Sequence, residues 1–163
     1  MDEIEVFHGS VDVVQRPLCN YGRPDLDFGR GFYLTDIKAQ AIEWAKRISS
    51  QKGGQALINI YKLNKSAFLE KGRCKIFKSY DFEWLEFIVA SRNGDNPAED
   101  YDYIEGGVAN DRVIDTVNLY MAGLITREQA LRNLVYKKPN NQISLLNQSL
   151  TDKYLIYERF ETL

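Results

Sequence analysis

The residues whose types and spacing could support chemistry lie near the start of the chain. His8 is followed by Gly9 and Ser10, and residues 27–36 carry an arginine and a tyrosine among glycines. An arginine side chain can bind phosphate oxygens through two parallel N–H groups, and the electron-rich face of a tyrosine suits a flat cationic ring. A histidine–glycine pair alone is a weak signal, so the interpretation depends on the elements that hold these residues.

The hydrophobic pattern places these residues at the ends of short strands. Alternating apolar and polar residues predict a strand over residues 3–9, and residues 31–35 predict a second one. Apolar residues at helical spacing then predict a helix that carries Trp44 on its apolar face. Thr35 or Asp36 is expected to cap that helix with a side-chain oxygen.

The rest of the chain alternates strands with helices. The further predicted strands cover residues 56–63, 101–108, 142–146 and 154–160. The further helices are predicted to begin at Ser79 or Asp81, at Asn110 or Asp111, and at a capping box formed by Thr126 and Gln129. The first of these carries an apolar stripe made of Phe82, Leu85, Ile88 and Val89. The pattern predicts an α+β fold with strands at both ends.

Composition narrows the classes of function. The 163 residues, 44% of them hydrophobic, are enough for one core, so a single domain over residues 1–163 is expected. Acidic and basic residues nearly cancel, 23 against 21, which gives no charge-based reason to expect nucleic acid as a partner. The acidic start and the lack of an apolar stretch of about 20 residues predict a soluble, cytoplasmic protein with no membrane partner. Cys19, Cys74 and the single histidine lack the spacing of a metal site, so we expect reduced thiols and no metal.

Residues 8–10 and 27–36 resemble the nicotinamide-pocket motifs of the ADP-ribosyltransferases, in the branch of poly(ADP-ribose) polymerase and diphtheria toxin. That branch is described by a His-Tyr-Glu triad. The second string is similar to the Phe-Gly-Lys-Gly-Ile-Tyr segment of the polymerases and has an aspartate three residues after its tyrosine. The whole chain also resembles a bacterial family of unknown function in that superfamily, which shares a Gly-Phe-Tyr-x-Thr segment and an Ala-x-x-Trp-Ala helix. The resemblance implies a split antiparallel β-sheet core flanked by helices.

The resemblance assigns roles in binding NAD. Gly9 would bind the nicotinamide carboxamide through its backbone N–H and C=O, and its missing Cβ suits a close approach. His8 would bond a ribose hydroxyl of the adenosine half. Tyr33 would stack on the nicotinamide, Trp44 would close the other side, and Phe32 would belong to the same pocket. Tyr33 and Trp44 could alternatively be core residues, and His8 a hydrogen-bonded histidine at a strand end.

Three further positions are assigned to the same site. Ser10 would orient the pocket, Arg30 would meet the pyrophosphate, and Asp111 could supply a carboxylate. Each also has a simpler explanation, because a serine after glycine is a common turn residue, a surface arginine is usually solvated, and Asp111 is a good helix cap. Glu105, just before a glycine pair, is a weaker source of a carboxylate.

The third triad position departs from the pattern. In relatives a glutamate at the start of a late strand stabilises the developing positive charge, whereas this chain has Gln142 there. A glutamine can still accept a hydrogen bond from a ribose hydroxyl, but it carries no negative charge. The resemblance therefore implies transfer of a single ADP-ribose and not chain elongation. Gln142 could alternatively be a solvated residue before an edge strand.

The expected function is that of a mono-ADP-ribosyltransferase that uses NAD as its substrate. The resemblance further implies the toxin of a toxin–antitoxin or phage-defence pair, with a protein or nucleic-acid acceptor and an antitoxin partner. Three alternatives stay open: a catalytically silent module that binds NAD or ADP-ribose, an NAD glycohydrolase, and a purely structural α+β domain.

Overall fold

The helices and strands follow each other in mixed order along the chain. A computed structural model describes residues 3–20, 26–134 and 140–163. The strands are β1 (Glu3–Ser10), β2 (Phe32–Leu34), β3 (Leu57–Asn64), β4 (Cys74–Ile76), β5 (Tyr103–Gly106), β6 (Gln142–Leu145) and β7 (Leu155–Thr162). The helices are α1 (Lys38–Lys52), α2 (Lys65–Lys71), α3 (Phe82–Arg92), α4 (Asp111–Met121), α5 (Arg127–Asn133) and α6 (Gln148–Tyr154), with a short 3-10 helix at Pro97–Asp100.

The strands form two sheets. The first has the order β1-β3-β7 and is antiparallel throughout, and the second has the order β2-β6-β5-β4. In the second sheet β4 and β5 run parallel, so the expectation of an antiparallel core is wrong for this one pair. The connection between them passes through α3, which supplies the long crossover that a parallel pair needs. The α+β class predicted from the sequence is confirmed.

The two sheets are joined at one point, between Phe7 of β1 and Thr35 just after β2. The Phe7 N–H donates to the Thr35 carbonyl at 2.8 Å, and the Thr35 N–H donates to the Phe7 carbonyl at 3.0 Å. In a continued antiparallel ladder the next hydrogen-bonded pair would be Gly9 with Tyr33, because such pairs recur every two residues. The ladder stops before that pair. The N–H and C=O of Gly9 therefore point away from β3, toward the gap between the sheets.

Helix α1 packs against β1 because both surfaces are small at the contact. Ala41 and Ala45 are fully buried on the helix, and they face Gly9 on the strand. The prediction that Thr35 or Asp36 caps this helix is wrong, since the N-cap is Ile37 and accepts no side-chain bond. The Thr35 hydroxyl instead accepts from the Ile37 N–H at 3.1 Å, which tightens the turn before the helix.

Helix α3 packs on the core with most of the predicted stripe, since Leu85 and Ile88 are buried and Val89 is partly buried, but Phe82 is not part of it. Asp81 caps it by accepting from the Trp84 N–H at 2.8 Å, as one of the two predicted alternatives. Trp84, Leu85 and Ile88 are fully buried, whereas Phe82 is 40% exposed. Phe82 lies in the first turn, where its ring stacks on the Arg127 guanidinium at the surface. In the same turn of the helix, the Trp84 indole is the side chain that packs into the core.

The other two predicted helix starts, those of α4 and α5, agree with the structure. Asn110 caps α4 by accepting from the Val113 N–H, and Thr126 with Gln129 forms the predicted capping box of α5. Within the described ranges, the longest helices lack the length and apolar character needed to cross a bilayer.

Replacing Gly9 by alanine should destabilise the fold, because the added Cβ would lie 2.1 Å from the Ala41 carbonyl oxygen. We expect a loss of about 3 kcal/mol in the free energy of unfolding, measured by urea denaturation. Ser50→Ala, on the exposed side of the same helix, should change it by less than about 0.5 kcal/mol. Equal stability of Gly9→Ala and the parent protein would contradict the close contact between α1 and β1.

Candidate functional site

A cavity of about 630 Å³ is lined by residues from both sheets and from α1. Five residues singled out in the sequence line it: His8, Gly9, Tyr33, Trp44 and Gln142. They come from positions up to 134 residues apart in the sequence, since the first is at position 8 and the last at position 142. Most of the other lining residues are apolar: Leu26, Ile48, Val108, Ala109 and Ile114.

His8 is held in one protonation state by its neighbours. Its Nδ1 lies 2.8 Å from the Tyr33 carbonyl oxygen, and a carbonyl can only accept, so Nδ1 carries the proton. Burial lowers the pKa of His8, although the same hydrogen bond acts in the opposite direction. The ring is therefore neutral near pH 7, and its Nε2 is a hydrogen-bond acceptor.

The Phe32 ring supports the histidine from one side. The two ring centroids are 4.4 Å apart, and Phe32 itself is only 7% exposed. Phe32 does not line the main cavity but an adjoining one of about 340 Å³, which shares His8 and Tyr33 as walls. Phe32 was predicted to belong to the nicotinamide pocket, and the structure places it behind His8, in the wall of the adjoining cavity.

Gly9 presents its backbone to the cavity. Its N–H and C=O point into the gap where the sheets separate, and the Tyr33 carbonyl that a continued ladder would pair with it is bonded to His8 instead. One donor and one acceptor on the same residue match the two polar groups of a primary carboxamide. A Cβ at this position is excluded by the contact with the backbone of α1.

The Tyr33 hydroxyl forms hydrogen bonds with the loop before β2, and the Tyr33 side chain lines the cavity. The hydroxyl donates to the Gly29 carbonyl at 2.7 Å and accepts from the Phe28 N–H at 3.0 Å. Burial is the main cause that raises the pKa of this hydroxyl well above its usual range, so it stays protonated. Because the hydroxyl is fully engaged, the ring face is the part left to contact a ligand.

Gln142 is the first residue of β6 and is 6% exposed. Its side-chain Nε2 is buried and has no hydrogen-bond partner among the residues that the structure describes. An unpaired buried amide is costly, by about 1–3 kcal/mol. Such a group on a cavity wall is suited to meeting a ligand.

The Gln40 side chain of α1 forms two hydrogen bonds with the backbone of Asn141, just before β6, as a neighbouring strand would. Gln40 donates from Nε2 to the Asn141 carbonyl at 2.6 Å and accepts from the Asn141 N–H at 3.0 Å. Trp44, half-buried and one turn along α1, lines the cavity. The pair of bonds therefore sets the position of Trp44 relative to Gln142.

One family model covers most of the chain. The model of the family described as "Protein of unknown function (DUF3990)" matches residues 4–157. The chain belongs to this family. No curated protein and no solved structure matches it.

Two other assigned residues of this DUF3990 member, Ser10 and Arg30, are absent from the lining of the main cavity. Ser10 is 8% exposed and accepts from the Asp12 N–H at 3.1 Å, as a turn residue does. Arg30 is exposed and lines a separate groove beside Arg73. Asp111 begins α4, and its side chain lies outside what the structure describes.

Glu105 is committed to a buried network. Its carboxylate accepts from Tyr103 at 2.5 Å and from Asn141 at 2.9 Å, and it pairs with Lys65 at 3.0 Å. Burial raises the pKa of Glu105, but these three partners outweigh it and hold the pKa below the usual range. The carboxylate is absent from the cavity lining given by the described residues.

Sequence reasoning missed two charged residues of the cavity wall. Asp27 stands in the quoted string without a role, and Arg92 is the last residue of α3. Their side chains pair at 2.9 Å and are only 18% and 21% exposed. Asp27 lies in the loop before β2, where an aspartate is common and marks no role by itself. A basic residue in the last turn of a helix is common, so nothing local marked Arg92.

The DUF3990 site also includes the loop after β5, whose backbone is held by three hydrogen bonds with side chains. Trp84 donates from Nε1 to the Gly107 carbonyl, Tyr80 donates its hydroxyl to the Val108 carbonyl, and the Val108 N–H donates to Asn140. These bonds hold the apolar Val108–Ala109 wall in place. Within the described ranges, no group of three or more His, Cys, Asp or Glu side chains could hold a metal ion.

The lowered pKa of His8 predicts a dependence of stability on pH. Between the folded pKa and the unfolded value of about 6.5, the unfolded chain binds a proton that the folded chain does not. The free energy of unfolding should therefore fall with decreasing pH in that window, by at most about 1.4 kcal/mol per pH unit, relative to His8→Gln. Urea denaturation of both proteins from pH 8 to 5 measures this. Parallel curves would show that His8 titrates normally.

Tyr33→Phe keeps the ring but removes the hydroxyl. We expect a loss of about 1–3 kcal/mol in the free energy of unfolding, because the Phe28 N–H and the Gly29 carbonyl lose their partner. Tyr157→Phe, on β7 outside the cavity, is the matched control and should change stability by less than about 0.5 kcal/mol. Thermal and urea denaturation of the three proteins compare these values.

Proposed function

We propose that this chain is an NAD-dependent mono-ADP-ribosyltransferase with the split-sheet fold of that superfamily. The observation that supports the proposal most is that His8, Gly9, Tyr33, Trp44 and Gln142 line one cavity. A motif resemblance in residues 8–44 does not require a residue near position 142 to join them. Their convergence is what a nicotinamide pocket needs.

The nicotinamide ring would lie between two aromatic side chains. Its carboxamide accepts from the Gly9 N–H and donates to the Gly9 carbonyl, and its ring stacks on Tyr33. Trp44 closes the opposite side. A cationic ring between two electron-rich faces gains about 1–2 kcal/mol when water is excluded. This binding favours NAD over its hydrolysis product, which lacks the ring.

His8 would act as a neutral acceptor. Its Nε2 accepts a hydrogen bond from a ribose hydroxyl of the adenosine half, while Nδ1–H stays on the Tyr33 carbonyl. A protonated ring could not accept that bond, so the lowered pKa of His8 suits this role.

The reaction breaks the bond between ribose C1′ and the nicotinamide nitrogen. The electron pair stays on that nitrogen, and positive charge passes to the ribosyl group. A nucleophile of the acceptor then bonds to C1′ and releases its proton. Gln142 can accept a hydrogen bond from the ribose next to nicotinamide, but stabilises the cation only through its dipole. Transfer of one ADP-ribose to a protein or nucleic acid, as by a cytoplasmic toxin held by an antitoxin, fits a neutral residue at the third triad position.

A module that binds NAD or ADP-ribose without turnover is the second candidate. One observation favours it: Gln142 is neutral, and Glu105 is committed to Tyr103, Lys65 and Asn141. Such a module would keep the pocket and lack the charge that drives bond breaking.

Nicotinamide release from NAD, with and without bacterial lysate, tests the proposal. We expect release that increases with lysate, and ADP-ribose adducts found by mass spectrometry. His8→Ala and Trp44→Ala should each lower release at least about 100-fold, whereas Lys46→Ala, exposed on the same helix, should not.

The other outcomes identify the alternatives. Release that is independent of any acceptor would make the chain an NAD glycohydrolase. Tight NAD binding in calorimetry with neither release nor adducts would make it a binding module. Absence of NAD binding would reject the pocket itself.

A further inference from the structure

Asp27 is the one carboxylate that lines the main cavity among the described residues. Gln142 is neutral, and the Glu105 carboxylate is held elsewhere by three partners. A reaction that creates a cationic ribosyl group is accelerated by a negative charge placed near it. Within the described part of the cavity, only Asp27 can supply that charge.

The carboxylate of Asp27 is anchored through one oxygen. Arg92 donates from Nε and from Nη2 to the same atom, Oδ1, at 3.0 and 2.9 Å. Oδ2 has no hydrogen-bond partner in the ranges that the structure describes. The Asp27 side chain as a whole is only 18% exposed, and the two bonds to Oδ1 limit its rotation. A shielded charge acts more strongly on a neighbour than an exposed one.

Asp27 lies at the hydroxyl end of Tyr33. The Tyr33 hydroxyl bonds the Phe28 N–H and the Gly29 carbonyl, which follow Asp27 directly in the chain. Gly9 lies at the other end of this tyrosine, where its backbone meets β1. A nicotinamide ring stacked on Tyr33 with its carboxamide at Gly9 therefore extends toward Asp27. In the orientation that turns the ring nitrogen away from Gly9, the attached C1′ would lie on that side.

We propose that Asp27 is a catalytic residue whose Oδ2 stabilises the ribosyl cation, in place of the charge that Gln142 lacks. The inference rests on the proposed function. When the C1′–N bond breaks, nicotinamide leaves as a neutral ring with the electron pair, and Oδ2 faces the positive charge that remains on the sugar. The acceptor's nucleophile then bonds to C1′, and its proton passes to solvent. Arg92 is a positioning residue that holds the carboxylate in this direction.

The substitution Asp27→Asn removes the negative charge of the side chain and keeps its size and shape. With purified full-length protein and NAD, we expect kcat for nicotinamide release to fall about 100-fold, while KM changes by less than about threefold. Gln142→Glu in the Asp27→Asn background should restore most of kcat, because it returns a carboxylate to the site. Asp152→Asn, an exposed acid on α6, is the matched control and should be unaffected.

The double variant Asp27→Asn/Arg92→Gln separates charge from fold. It replaces the ion pair by two neutral amides, so its melting temperature should be closer to that of the parent than the melting temperature of Asp27→Asn. We expect kcat to stay low in this double variant. Recovery of kcat would overturn the inference and show that Asp27 serves only as the counter-ion of Arg92.

Two further results would overturn the inference without touching the proposed function. One is an Asp27→Asn protein that keeps kcat within about threefold of the parent. The other is loss of activity in Asp111→Asn together with a normal Asp27→Asn, which would assign the charge to Asp111. If the parent protein itself neither binds NAD nor releases nicotinamide, the proposed function fails, and this inference fails with it.

Discussion

The two hydrogen bonds between Phe7 and Thr35 are the interaction on which the rest of the site depends. They join the sheets at one place and bring β1 and β2 into antiparallel register. One step further along, the Tyr33 carbonyl bonds the His8 side chain and not the Gly9 N–H. The strands then separate, which opens the cavity and leaves the Gly9 backbone facing it. A ladder continued by one more pair would close the site.

Local patterns placed His8, Gly9, Tyr33 and Trp44 on strands and a helix. The family resemblance, and not these patterns, assigned the four residues to one pocket. Predicting that a residue near position 142 would join them required the family resemblance, since nothing in the spacing links distant strands. The Asp27–Arg92 pair was missed for the same reason. An ion pair between a loop and a helix end is a tertiary contact, and neither partner carries a pattern of its own.

The fold shows the same division between local and tertiary causes. The α+β class and most helix starts follow from periodicity and capping residues, and the capping box at Thr126 is an example. Of the three seven-residue helices only α5 was predicted, through its capping box, whereas α2, α6 and the three-residue strand β4 were not, because so few residues give little periodicity. Phe82 was placed in the buried stripe by its hydrophobicity. The structure exposes it because Trp84 fills the space over the second sheet and bonds the Gly107 carbonyl.

The amide of Gln40 has the same donor and acceptor as a peptide group, and it pairs with Asn141 as a neighbouring strand would. These two hydrogen bonds attach helix α1 directly to the start of β6. Trp44 and Gln142 are carried by these two elements, so their separation is set by a side chain that is absent from the cavity lining given by the described residues. A fixed separation would admit planar rings more readily than puckered rings of equal volume. Selectivity for flat ligands would then be inherited from the scaffold and stay the same when residues on the cavity wall change.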